Sequence, residues 1–74
     1  MEALSEKCKI KFDGETPQII IPNNDYALAA LFEESQANEV FFMAVDFPDG
    51  QMIIQLQDES YTEQFVEDLN YNIG

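Results

Sequence analysis

From Lys7 to Phe12 the chain alternates strictly, lysines at one parity and Cys8, Ile10 and Phe12 at the other, which is the two-residue period of a half-buried strand. Asp13-Gly14 supplies a turn, and a second apolar run, Gln18 to Ile21, is closed by Pro22. Asn23 or Asn24 can cap a helix from Asp25 to about Gln36, with Tyr26, Ala29, Ala30, Leu31 and Phe32 as its core face. Asn38 suits a left-handed residue at the helix end, and Val40 to Phe47 is the strongest strand pattern in the chain. Pro48-Asp49-Gly50 carries turn chemistry, so Gln51 to Gln57 is expected to fold back as a hairpin partner. Ser60 with Glu63 reads as a capping box, followed by a final helix whose apolar face is Tyr61, Phe65, Val66 and Leu69.

The order is strand, strand, helix, twice over. Gln18-Ile19-Ile20-Ile21 echoes Gln51-Met52-Ile53-Ile54, but short hairpin-helix units converge easily, so no duplication is argued. The most economical architecture is α+β, a four-stranded antiparallel sheet with both helices on one face. If Phe47 pairs with Gln51, one face of the second hairpin collects Val40, Phe42, Ala44, Met52, Ile54 and Leu56. The other collects Phe41, Met43, Val45, Phe47 and Ile53, and helices can cover only one side. This second set is the expected association surface, shielded by a loop, by the N-terminal segment or by a second copy in a homodimer.

Composition narrows the picture. The 74 residues are read as one domain over 1–74, with residues 1–6 expected to be flexible. At this size a single core supplies only about 3–5 kcal/mol. With 46% hydrophobic residues, six Phe and three Tyr, the chain is too apolar for a disordered acidic tail. Cys8 has no partner for an internal disulfide and the start, MEALSEKCKIKF, lacks the apolar run of a signal peptide, so a reducing cytoplasm is expected. No apolar run approaches the roughly 20 residues of a membrane span.

Charge changes the picture most. The chain has 15 Asp and Glu against 3 Lys, a net charge of −12, and after Lys11 every charged side chain is a carboxylate. Soluble surfaces ordinarily mix both signs, so this field points to a basic partner. Direct nucleic-acid binding is opposed everywhere except near Lys7, Lys9 and Lys11, which are read as guarding an outer strand against edge pairing or as complementing the domain's own acids. Without His or Arg the chain lacks the usual neutral-pH base and any guanidinium for an oxyanion, so no enzymatic activity and no cofactor are expected. Adjacent carboxylates such as Glu33-Glu34 and Glu67-Asp68 diverge on a helix, and neither Asp46-Phe47-Pro48-Asp49-Gly50 nor Asp58-Glu59-Ser60 matches a calcium loop. No metal is expected.

Glu59, Glu63 and Glu67 stand four residues apart, a stripe of negative groups about 6 Å apart by helical rise, with Asp68 beside it. Phosphates along a nucleic-acid strand form a comparable row. Glu33 and Glu34 on the neighbouring helix, with Asp46, Asp49 and Asp58 at the sheet ends, complete the candidate partner-binding set. A solvated helix face is the plain alternative for the three glutamates.

A short, strongly acidic α+β chain with aromatic strands and so few basic residues resembles the DNA-mimic proteins that bacteriophages direct against host enzymes, above all the phage inhibitors of sliding clamps. The resemblance spans the chain through length, charge and element order rather than through a motif. It implies binding inside the basic DNA channel of a clamp in the host cytoplasm, blocking DNA or clamp-loader access. The peptide that many proteins insert in a clamp's hydrophobic pocket, Gln followed by spaced Leu and Phe, has no clear counterpart: Gln55-Leu56-Gln57-Asp58 lacks the terminal aromatic and Gln64-Phe65 has the wrong spacing. An immunity protein or antitoxin neutralising a basic nuclease, and an acidic soluble subunit without mimicry, remain the other readings of the same charge.

Overall fold

The computed structural model describes residues 7–73, so the expected flexibility of residues 1–6 lies outside the described residues. Two hairpins and two helices follow in the order β1 (Lys9–Asp13), β2 (Thr16–Pro22), α1 (Asp25–Asn38), β3 (Phe42–Asp46), β4 (Gln51–Leu56), a single 3-10 turn (Glu59–Tyr61) and α2 (Thr62–Ile73). The strands form one antiparallel sheet in the order β1-β2-β4-β3. This is the expected α+β architecture. Its two central strands, β2 and β4, are the Ile-rich ones, which suits strands flanked on both edges.

Pleat parity assigns the faces. Cys8 precedes β1 on the same parity as Ile10, and both meet Ile19 and Ile21 of β2 and Ile54 and Leu56 of β4 in one cluster. Ala27, Ala30 and Leu31 from α1 and Phe65, Val66 and Leu69 from α2 close that cluster from above. Both helices therefore lie on the same side of the sheet. Full burial of a side chain the size of Phe65 or Leu69 contributes about 1.5–3 kcal/mol, and these two, with Ile19, Ile21, Leu31, Ile54 and Leu56, are the largest buried side chains.

Asn24 caps α1 from extended backbone, its Oδ1 accepting from the Ala27 N–H at 2.9 Å. That cap fixes the helix phase. The core face is Ala27, Ala30 and Leu31 rather than the expected Tyr26, Ala29, Ala30, Leu31 and Phe32: Tyr26 is 81% exposed, Phe32 and Ala29 are also exposed, and two alanines let the α1 backbone approach the sheet and α2. At the other end the left-handed residue is Glu39 (φ 54°, ψ 43°), one position beyond the expected Asn38. The Glu39 N–H reaches Gln36 O and the Val40 N–H reaches Ser35 O at 2.9 Å, a closure that usually employs glycine. Asn38 stays helical, and its Nδ2 donates to Glu34 O at 3.0 Å.

The expected capping box at α2 does not form. Asp58 takes the role, its Oδ1 accepting from Ser60 N at 3.1 Å and Ser60 Oγ at 2.6 Å, so Ser60 is spent inside the 3-10 turn and α2 starts at Thr62. Thr62 Oγ1 donates to Glu59 O at 2.7 Å. The second hairpin also departs from expectation. Phe42↔Leu56, Met43↔Gln55 and Ala44↔Ile54 keep the expected register, but a bulge at Val45 places Asp46 opposite Ile53. Phe47 therefore does not pair with Gln51, whose N–H instead closes the turn on Pro48 O at 2.9 Å. Beyond the bulge the alternation is reset, and Phe47 leaves the column of Met43.

Candidate partner-binding surfaces

The side chains that face away from the helices are a different population. Lys9 and Lys11 alternate with Ile10 on β1, so they project from the open face of the sheet, and Lys7 joins Lys9, Ile20, Pro22 and Gln51 around a shallow hollow of about 230 Å³ there. One cross-strand row runs Lys9, Ile20, Ile53, Asp46, one residue from each strand in spatial order. It begins with a cation and ends with a carboxylate.

Met43, at 60% exposed, Val45, Phe41 and Phe47 are uncovered around β3, although the register shift takes Phe47 out of the column it was expected to share with Met43. Ile53 is not. It is only 5% exposed, because Ile20 flanks it on one side and the bulge brings two residues, Val45 and Asp46, against it on the other. The open face is thus a packed central isoleucine with an exposed Met-Val rim, rather than one continuous exposed patch.

The helix layer holds most of the candidate carboxylates. Glu33, Glu63 and Glu67 are exposed on the outer surfaces of α1 and α2. Glu34 is half-buried between the helices, its Oε1 accepting from Asn38 Nδ2 at 3.0 Å and its Oε2 from Asn72 Nδ2 at 2.7 Å. Asp68 accepts from Gln64 Nε2 at 3.1 Å. Glu34 and Asp68 converge on Tyr61. Desolvation raises the Tyr61 phenol above its ordinary value first, and the two carboxylate charges, with a hydrogen bond to Asp68, raise it further. Asp58 and Glu59 stand at the start of the 3-10 turn.

Asp46 and Asp49 do not join this group. They flank the β3–β4 turn at the other end of β4 from Asp58, about 20 Å away by strand rise, and the Asp46 carboxylate is occupied by the Phe47 N–H at 2.9 Å. The nine-carboxylate set is therefore two groups, seven on or beside the helices and two at the far turn. Sequence reasoning passed over the amides that orient the first group and also Glu39, which lines a cleft of about 350 Å³ with Asp58 and Tyr61 at the end of α1. The signal was present as the i, i+4 spacings Glu34–Asn38, Gln64–Asp68 and Asp68–Asn72.

Among the described residues no three His, Cys, Asp or Glu side chains converge as a metal site, and no helix is long and apolar enough to cross a membrane. Cys8 is buried beneath α2, and burial pushes its thiol from an ordinary 9.0 to about 11. No protein-family model, curated protein or solved structure matches the chain. Its class therefore rests on its own anatomy: a small α+β protein with a carboxylate-bearing helix layer on one side of the sheet and a lysine-edged apolar face on the other.

Proposed function

We propose that this protein is a non-enzymatic inhibitor that occupies the DNA-binding surface of a bacterial replication protein, the sliding clamp fitting the resemblance best, with helix-layer carboxylates standing where DNA phosphates would lie. The observation that carries the reading is the segregation of charge. Glu33, Glu34, Glu59, Glu63, Glu67 and Asp68 share the helix layer with no cation among the described residues, while Lys7, Lys9 and Lys11 all belong to the opposite face. A surface of one sign attracts a basic channel at long range, competes with duplex DNA for it and excludes both DNA and a clamp loader. Homodimerisation through the open face supports the same function by doubling the charge presented. The Lys9-Ile20-Ile53-Asp46 row favours a second copy as the cover: a two-fold axis along the strands lays Lys9 over Asp46 and Ile20 over Ile53 of the facing subunit.

The test is competition. Immobilised bacterial sliding clamp should capture the protein at low salt, lose it steeply as salt rises, and release it to duplex DNA. Glu63→Lys with Glu67→Lys should abolish capture while leaving the fold intact, since exposed helix substitutions cost within about 0.5 kcal/mol each. Simultaneous binding of saturating DNA and this protein to one clamp overturns the reading.

A further inference from the structure

Asn70 pins the C-terminal half of α2 to the start of β1 with two hydrogen bonds, Cys8 N to Oδ1 at 2.7 Å and Nδ2 to Cys8 O at 3.1 Å. The other end of α2 has no such tie to β1. There Phe12, although on the helix-facing parity of β1, is 65% exposed, and a groove of about 420 Å³ opens between Ile10, Phe12 and Pro17 on the sheet and Glu59, Ser60, Thr62 and Glu63 on the helix side. Its floor is apolar and aromatic. Its lip carries two carboxylates. Thr62 donates its hydroxyl to Glu59 O and Ser60 donates its hydroxyl to Asp58 Oδ1, so the charged groups left to receive a ligand are the two glutamates.

We infer that this groove receives one arginine side chain of the protein target, a deepening that rests on the proposed function for the target's identity. An arginine has an aliphatic stem to lie on Ile10 and Pro17, a planar cation to stack on the Phe12 ring, and a fork of donors to span Glu59 and Glu63. Among the described residues no cation fills the groove: the chain contains no Arg, Lys9 and Lys11 leave β1 on the other face, and Lys7 lies beside Lys9 there. A partner seated this way gains a contact that bulk charge does not provide. Phosphate-like carboxylates attract any basic surface, whereas a stacked and forked site selects guanidinium over ammonium.

The experiment titrates the isotope-labelled protein with N-acetyl-arginine amide, and in parallel with the lysine and citrulline amides, following backbone and Phe12 ring signals by NMR. Saturable shifts confined to Phe12, Thr62 and Glu63 are expected with arginine, weaker ones with lysine and none with the neutral citrulline. Phe12→Ala should weaken arginine binding about three-fold and Glu63→Gln should do so independently, both at exposed positions that leave the fold in place. Equal response to all three amides, or shifts spread over every carboxylate, overturns the site. Capture by the clamp separates the two ideas. A clamp bound equally well by the protein and by Phe12→Ala removes the groove and leaves mimicry, whereas arginine saturation of the groove without clamp capture removes mimicry and leaves the groove.

Discussion

Ile53 and Ile54 are neighbours on β4, equally hydrophobic and both nearly inaccessible to solvent, yet they belong to two different environments. Ile54 enters the cluster sealed by Leu31, Phe65 and Leu69. Ile53 lies on the open face, flanked by Ile20 and by the bulge, with no second layer above it among the described residues. The contrast teaches that low exposure in this small protein comes from two sources, packing between layers and crowding within one layer, and only the first creates a core. It also separates two economies of charge: the helix side concentrates carboxylates outside its core, and the open face keeps the lysines beside its isoleucines.

The sharpest break of the comparison is the pair of truncations. Ile54→Ala should cost about 2–5 kcal/mol, enough to unfold much of a domain whose whole core supplies about 3–5 kcal/mol. Ile53→Ala should cost clearly less in a dilute monomer, and denaturant midpoints measured across a range of protein concentrations should show its effect growing with concentration if a second copy covers that face. Equal and concentration-independent losses would show that the open face is already sealed.

Met43→Glu comes next. It places a charge on the exposed rim, so sedimentation should show a dimer reduced to monomer with the helical circular dichroism retained. An unsubstituted protein that sediments as a monomer at tens of micromolar removes the dimer.

Alkaline pH probes the sealed side. The raised Cys8 thiol and the raised Tyr61 phenol both bind their protons more tightly in the folded state. Their stabilisation is therefore complete below the unfolded values and lost as pH rises; for Cys8 the loss runs from 9.0 to about 11. Cys8→Ala should flatten the fall of the denaturant midpoint in that window, leaving the part due to Tyr61 to be removed by Tyr61→Phe.

Smaller effects concern the ends of α1 and the field as a whole. Glu39→Gly should stabilise by about 1 kcal/mol, since it relieves a left-handed backbone and removes an anion from a helix C-terminus. Raising salt from about 0.01 to 0.15 M, which shortens the Debye length from roughly 30 to 8 Å, should lift the melting temperature by relieving repulsion within the helix layer. A flat profile would mean that the carboxylates are compensated locally.

Element order and, apart from the exposed Ala44, the covered face of the second hairpin were legible because alternation in β1 and the apolar runs of β2 and β4 leave few arrangements that bury both. The bulge was not. Val45 sits in an alternating β-favouring run with nothing local to announce an extra residue, so the reset at Asp46 and the departure of Phe47 became visible only in the pairing. At the start of α1 and of the 3-10 turn an Asx side chain decided the cap: Asn24 was among the expected caps, whereas Asp58 drew Ser60 out of the expected capping box by accepting from its hydroxyl. The carboxylates were legible as residues but not as groups: the expected helical stripe keeps only Glu63 and Glu67 on α2, Glu59 standing in the 3-10 turn before it, and the convergence of Glu34 and Asp68 on Tyr61 depends on how two helices meet.

The pair of hydrogen bonds from Asn70 to the backbone of Cys8 spans 62 positions of chain. During synthesis the first strand emerges long before the residue that fastens it, and a ribosome delivers roughly 5–20 residues each second. For several seconds the nascent hairpin of β1 and β2 therefore presents Ile19 and Ile21 without their helices. Lysines on an outer strand oppose edge pairing with other nascent copies during that interval, and the carboxylates that follow add like-charge repulsion as the chain lengthens.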